Sequence, residues 1–224
     1  MSKQPLRTVP HGVMHVPVTP FKDDMSVDYA TFEKLVDWHV RQKPSSLCVI
    51  LHIAESVSLT VEEHKKLIEV SVKVTNGRVP VIANVSNAGT EIAIDLARHA
   101  DHLGFTRYWV AEHHNSTTLA SATPEVLIPL LASNTSRIHV GSGGVMLTHY
   151  AALKVAEQFR MLETLFPGRI DMGLGRAPGS DQRTSAALAL GPGALPLEAY
   201  PDQVADVIRY MTDTVPQGHR FVGI

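Results

Sequence analysis

Two hundred and twenty-four residues carry 20 Lys+Arg against 22 Asp+Glu, a formal charge of −2, with 44% apolar and 19% charged side chains. This is an ordinary globular composition without the basic excess that neutralises phosphates, so nucleic acid is not an expected partner. No run of ~18 apolar residues is present to span a bilayer, Met1–Pro10 lacks the apolar core of a secretory signal, and the single Cys48 excludes an internal disulfide; together these read as a cytoplasmic chain.

Gly12–Thr19 reads as a buried strand, and Asp28–Gln42 as an amphipathic helix with Phe32, Leu35, Val36 and Val40 on one face. Leu47–Leu51 is a second apolar run. Thr60-Val-Glu-Glu63 is a capping box that opens a helix carrying Leu67, Val70 and Val74. Val79–Val85 is a third strand and Thr90–Leu103 a third helix, closed by Gly104 at the position that favours glycine. Thr106–Ala111 is a strand, and Thr123-Pro124 caps a helix to Ala132 with proline in its first turn. Ile138–Val145 is a strand, followed by a helix with Val155, Phe159, Leu162 and Phe166 on its buried stripe, stopped by Pro167-Gly168. Ile170–Leu174 is the sixth strand. Gly179–Leu197, rich in Gly, Pro, Ala and Ser, reads as a long loop before a last helix from Pro201 to about Met211.

Repeated βα units at this spacing predict an α/β fold, a TIM-barrel-like set of parallel strands with helices outside. Six strands fall short of the eight that a closed barrel needs, and the chain is shorter than the ~250 residues typical of that fold. The expectation is therefore one barrel-like domain over 1–224, incomplete or hybrid. Open sheet edges in such a barrel predict self-association.

Two families are resembled, each by its own stretch. Residues 12–100 resemble the dihydrodipicolinate synthase / N-acetylneuraminate lyase superfamily through Val18-Thr-Pro-Phe21, Ala54-Glu-Ser56 and Gly77-Arg-Val-Pro-Val-Ile82. Residues 96–224 resemble bacterial luciferase-like flavin monooxygenases. The carriers there are Arg107-Tyr-Trp-Val-Ala-Glu-His-His-Asn115, Val140-Gly-Ser-Gly-Gly-Val-Met-Leu147 and Pro167-Gly-Arg-Ile-Asp-Met-Gly-Leu-Gly-Arg-Ala-Pro-Gly179. Both families are βα barrels, and the helix Ile92–Leu103 suits either, which places the seam there. A recombined or engineered barrel hybrid is the expected reading.

The lyase resemblance implies Schiff-base chemistry from a strand lysine. Lysines 3, 22, 34, 43, 65, 66, 73 and 154 all fall outside the predicted strands, most on helices where they read as solvated surface. The carboxylate-binding turn of that family is altered to Leu51-His-Ile-Ala-Glu55 here. A class I pyruvate-dependent lyase is therefore disfavoured.

The luciferase-like resemblance implies a flavin mononucleotide (FMN) site. His113, after a strand, is implied to lie near the flavin and assist proton transfer, a task that suits imidazole near neutral pH. Glu112, His114, Ser142, Gly143, Gly144 and Arg176 are the implied cofactor-binding set. The Gly pair is implied to lie against the flavin ring, often through a cis peptide; read by itself it equally marks a bulge. Arg176 could offset flavin or phosphate charge, and otherwise is an exposed loop arginine. His113 and His114 otherwise read as rim histidines. A metal site from His15, His52 and His149 is disfavoured because no element carries a paired-ligand spacing. The family's phosphate-holding loops belong to later strands, so weak FMN binding and little turnover of a small-molecule substrate are expected. A barrel scaffold without a catalytic role is the alternative.

Overall fold

The computed structural model describes residues 12–84, 89–116, 121–189 and 196–223. The chain forms two compact units, Met1–Asn84 and Val85–Ile224. Met1–Pro10 of the sequence reading lies outside the described residues.

In the first unit, β1 (Met14–His15), β2 (Ser46–Val49) and β3 (Val81–Ala83) form a parallel sheet in that order. Leu47 pairs with Val81 and Val49 with Ala83. All four residues of β2 are buried, as a central strand covered on both faces must be. Helix α1 (Tyr29–Arg41) starts where Asp28 accepts from the Thr31 N–H, and buries Phe32, Val36 and Val40. Helix α2 (Val61–Thr75) starts at the expected capping box: Thr60 N–H donates to Glu63, and Glu63 N–H donates to the Thr60 hydroxyl. The predicted first strand, Gly12–Thr19, contracts to two residues. Pro17 has no N–H to pair, and Val13 and Met14 face solvent.

The second unit contains α3 (Thr90–His102), β4 (Arg107–Val110), α4 (Pro124–Ser133), β5 (His139–Ser142), β6 (Val145–Met146), α5 (Ala152–Leu165), β7 (Ile170–Asp171), β8 (Leu174–Gly175), α6 (Gln182–Leu188) and α7 (Tyr200–Thr212). Strands β4, β5 and β7 form one parallel sheet, and β6 and β8 another. Gly104, at φ +82°, ends the α3 turn in the left-handed region that favours glycine. The sequence-predicted strands Ile138–Val145 and Ile170–Leu174 are each divided in two. The first is broken at the Gly143–Gly144 peptide, which is cis, and the second at Met172-Gly173. Within the predicted loop Gly179–Leu197 the structure has α6 instead, capped by Asp181, which accepts from the Thr184 N–H at 2.8 Å. Its alanines favour helix, and the Asp181 cap was the overlooked signal. Residues 190–195 of that stretch lie outside the described set.

Tyr108, Val110 and Val140 point to the buried side of the β4–β5–β7 sheet, with Leu96, Ile128, Leu131 and Phe159 of the helices among the same buried residues. The connection between α4 and β5 is held from two directions. The Asp101 carboxylate accepts from the N–H groups of Ser136, Arg137 and Ile138 and from the Ser136 hydroxyl, at 2.7–3.2 Å. The Arg169 guanidinium donates to the carbonyls of Ala132, Thr135 and Ile138 and to the Thr135 hydroxyl. None of the three sheets formed by the described residues closes on itself.

Candidate functional site

Three strand ends of the second unit meet: Ala111–His114 after β4, Leu147–Tyr150 after β6, and Arg176–Gly179 after β8. His114 N–H donates to the Gly179 carbonyl at 2.9 Å, and His149 Nε2 donates to the Pro178 carbonyl at 2.8 Å. At the strand level, Met146 pairs with Gly175, and Gly143 N–H donates to the Val110 carbonyl at 2.8 Å. Parallel strands present their carboxyl ends at one edge, so these segments converge without any local sequence signal.

Glu112 is the centre of this arrangement. Its side chain is fully buried, 0% exposed. Oε2 accepts from the Met146 N–H at 2.8 Å; Oε1 accepts from the Tyr150 hydroxyl at 2.8 Å and from His114 Nε2 at 2.7 Å. Burial and the hydrogen bond to Glu112 both push the Tyr150 phenol far above its ordinary range, so it stays protonated and donates. Gln203 of α7 supports the same loop, its amide donating to the Tyr150 carbonyl at 3.1 Å. With both oxygens occupied by protein donors, the Glu112 carboxylate and His114 Nε2 are engaged inside the protein.

His113 is exposed, its Nδ1 donating to the Glu112 carbonyl at 2.6 Å. Arg176 is likewise exposed, on the segment that follows β8. These two side chains carry the site's accessible nitrogens from the sequence-predicted set.

Ser142 is buried, and its hydroxyl exchanges hydrogen bonds with the backbone of Gly173: it donates to the carbonyl at 2.9 Å and accepts from the N–H at 3.1 Å. Gly144 leaves room for backbone. A Cβ there would lie 2.7 Å from the Gly173 carbonyl carbon and oxygen and 2.9 Å from the Leu174 carbonyl carbon. A Cβ on Gly143 would meet the Trp109 side chain at 3.3 Å. The close approach that glycine permits here is thus between neighbouring strands.

Tyr150 and Gln203 were not among the sequence-predicted site residues, and His149 entered only as a disfavoured metal ligand. Glu112 meets Met146 and Tyr150 from 34 and 38 residues away, and no local spacing marks such partners. Among the described residues no group of three or more His, Cys, Asp or Glu is arranged to hold a metal ion. His15 instead meets His39, Nδ1 to Nδ1 at 3.1 Å, and the side chain of His52 is outside the described set. Every described lysine lies on a helix or a loop. No helix among the described residues is long and apolar enough to cross a membrane.

The luciferase-like monooxygenase family model matches residues 76–219, and the dihydrodipicolinate synthetase family model matches residues 9–111. A luciferase-like monooxygenase of Escherichia coli K12 is 51% identical over 127 residues, 57% of this chain and 38% of that protein. A 4-hydroxy-tetrahydrodipicolinate synthase of Leptothrix cholodnii is 44% identical over 87 residues, 39% of this chain and 30% of that protein. The solved structure of chloride-inhibited dihydrodipicolinate synthase from Acinetobacter baumannii, complexed with pyruvate, superposes with a TM-score of 0.55 at 20% identity, covering 92% of this chain and 80% of that one. That last likeness is one of fold. The chain spans 38% of the length of that Escherichia coli protein and 42% of the length of an uncharacterized Bacillus subtilis protein that it also matches.

Proposed function

The chain belongs to the luciferase-like monooxygenase family, with a dihydrodipicolinate-synthetase-like segment at its start, and on that ground we propose that its second unit carries the remnant of an FMN-dependent monooxygenase site with little or no turnover. The observation that carries this reading is the pair of accessible groups, His113 and Arg176, on two loops joined by the hydrogen bond from the His114 N–H to the Gly179 carbonyl. An exposed guanidinium suits an anionic ligand, and an exposed imidazole suits a group that must give up a proton. This donor set fits a flavin mononucleotide at the strand ends. Bound flavin would supply the redox chemistry by which a monooxygenase uses dioxygen. The chain's own part is narrower: Arg176 offsets negative charge, and His113 takes up a proton at Nε2. Titration of the protein with oxidised FMN, followed by absorbance, tests the reading; a saturable spectral change supports it, and its absence at high FMN overturns it.

A second reading, a barrel scaffold without catalysis, draws on Glu112 and His114 being committed to internal hydrogen bonds. The same titration separates the two.

The reading also includes self-association through sheet edges. In the three-stranded sheets, β1 and β3 flank β2, and β4 and β7 flank β5, so each outer strand has a neighbour on one side within its sheet. Sedimentation at micromolar concentration that returns a single monomeric species would rule it out.

A further inference from the structure

We propose that Glu112 is a positioning residue that sets the two imidazoles beside it in opposite tautomers, leaving His113 as a proton acceptor and His114 as an anchor. A carbonyl oxygen only accepts, so His113 Nδ1, 2.6 Å from the Glu112 carbonyl, carries the proton. In the neutral ring the other nitrogen, Nε2, then holds a free lone pair, and the exposed side chain offers it outward. For His114 the assignment reverses. Its Nε2 lies 2.7 Å from Glu112 Oε1, and an ionised carboxylate also only accepts, so Nε2 carries the proton and Nδ1 the lone pair.

The carboxylate cannot swap these roles, because its remaining capacity is taken. Met146 N–H occupies Oε2, and the Tyr150 hydroxyl shares Oε1. Tyr150 and His114 both meet that one oxygen, at 2.8 and 2.7 Å, so its two lone pairs are taken. The His149 ring stands edge-on to His114, centroids 5.7 Å apart at 90°, and His149 is itself tied to Pro178. His114 therefore has a packed wall as well as a hydrogen bond. One residue governs both rings: its main chain orients His113 and its side chain orients His114.

The chemical consequence is directional. Neutral His113 receives a hydrogen bond at Nε2, so the ligand it favours presents an N–H or O–H group there, and proton transfer runs from that group to the imidazole. The ring becomes an imidazolium with its charge beside the Glu112 carbonyl dipole. This deepens the flavin-site reading, yet its test needs no flavin.

The test is nitrogen-15 NMR of the histidine side chains in the unliganded protein, with His113→Asn and His114→Asn used to assign the two rings. Expected in the parent are a protonated Nδ1 with bare Nε2 for His113, and the reverse for His114. Glu112→Gln should shift His114 toward the other tautomer, because an amide keeps the buried Met146 N–H satisfied only by turning its oxygen there and its NH2, a donor, toward His114 Nε2, while His113 keeps its state through the backbone. Tyr150→Phe should leave both unchanged. A parent spectrum with His114 protonated at Nδ1, or a Glu112→Gln variant with His114 unaltered, overturns the proposal. If Glu112→Gln does not fold, the parent and Tyr150→Phe spectra decide. Failure of FMN titration with these tautomers intact would count against the flavin reading alone.

Discussion

Trp109 Nε1 donates to Asp171 Oδ2 at 2.8 Å, although the two residues sit on strands that do not pair with each other. Trp109 pairs with Gly141, and Gly141 pairs with Asp171, so the three form one cross-strand row. The middle residue has no side chain, and the indole reaches past it. Arg107, from the same face of β4, pairs with the same carboxylate oxygen at 2.9 Å.

Gly141→Ala should therefore break this row. A Cβ there would overlap the Asp171 carbonyl oxygen and stand 2.6 Å from the Asp171 Cβ, and backbone on a neighbouring strand cannot step aside as a flexible side chain would. Overpacking of this kind costs about 1–3 kcal/mol or more. Urea unfolding followed by Trp fluorescence should show a lower midpoint; an unchanged midpoint would mean that the strand pairing is looser than described.

Arg176→Ala should weaken FMN binding by roughly ten- to a hundredfold, the usual effect of losing one charge-assisted hydrogen bond. Because Arg176 is exposed, the variant should keep the parent's far-ultraviolet circular dichroism. Gly144→Val is expected to behave differently: its branched Cβ meets the backbone of Gly173 and Leu174, so the native fold is lost before binding can be compared. Equal FMN affinity in Arg176→Ala and parent would remove Arg176 from the site.

What could be read from the sequence follows the range of each interaction. The Thr60/Glu63 capping box, the Asp28 start of α1 and the Thr123-Pro124 start of α4 are signals within four residues, and the helices begin where those signals place them. Strand positions were legible as apolar runs, but their lengths were not, because pairing ends where Pro17 lacks a donor or where Gly143–Gly144 diverts the chain. The resemblance named His113 and Arg176, and both side chains are exposed. The engagement of Glu112 was not legible, since its Met146 and Tyr150 partners lie on another strand end.

Cys48 should resist thiol reagents in the native state. It lies on the fully buried β2, and burial pushes its thiol up to about 11 from the ordinary 9.0. Modification by a chromogenic disulfide at pH 8 should be slow in buffer and immediate in denaturant. The unfolded chain releases this proton first, so the contribution to stability is complete below about pH 9 and is lost as pH rises toward 11. Rapid labelling of folded protein would contradict the burial.

Asp101→Ala should cost about 2–3 kcal/mol, since it leaves N–H donors of Ser136, Arg137 and Ile138 unmet in a largely buried place. Burial works against the Asp101 charge, yet the donors of Ser136, then those of Ile138 and Arg137, outweigh it and hold the carboxyl below its usual range. A depressed native value means stability that is present above the ordinary 3.8 and is lost as pH falls through the native value. The stability gap between parent and Asp101→Ala should hold steady from pH 6 to about 4 and narrow as pH falls below 3.8; a gap unchanged at lower pH would show that the carboxylate charge contributes nothing.

Pyruvate should form no Schiff base with this chain. The described lysines lie on helices and loops, all but the half-buried Lys65 exposed, rather than on a strand. Borohydride reduction with pyruvate, followed by intact-mass measurement, should return the unmodified mass, and an adduct on any lysine would reinstate lyase chemistry.

The connection from α4 to β5 has the outward character of a surface loop, the kind of place where chains are ordinarily cut, lengthened or rejoined. Here its N–H groups are consumed by Asp101 and its carbonyls by Arg169, residues that lie far before and after it in the chain. An added residue would shift the donors of 136–138 past Asp101 and the acceptors at 135 and 138 past Arg169 at once. Circular permutants opened at residues 135–137, or inserted peptides there, should fail to accumulate as folded protein. Any shuffling of this scaffold with related barrels must carry α3, this connection and Arg169 across together as one inherited block.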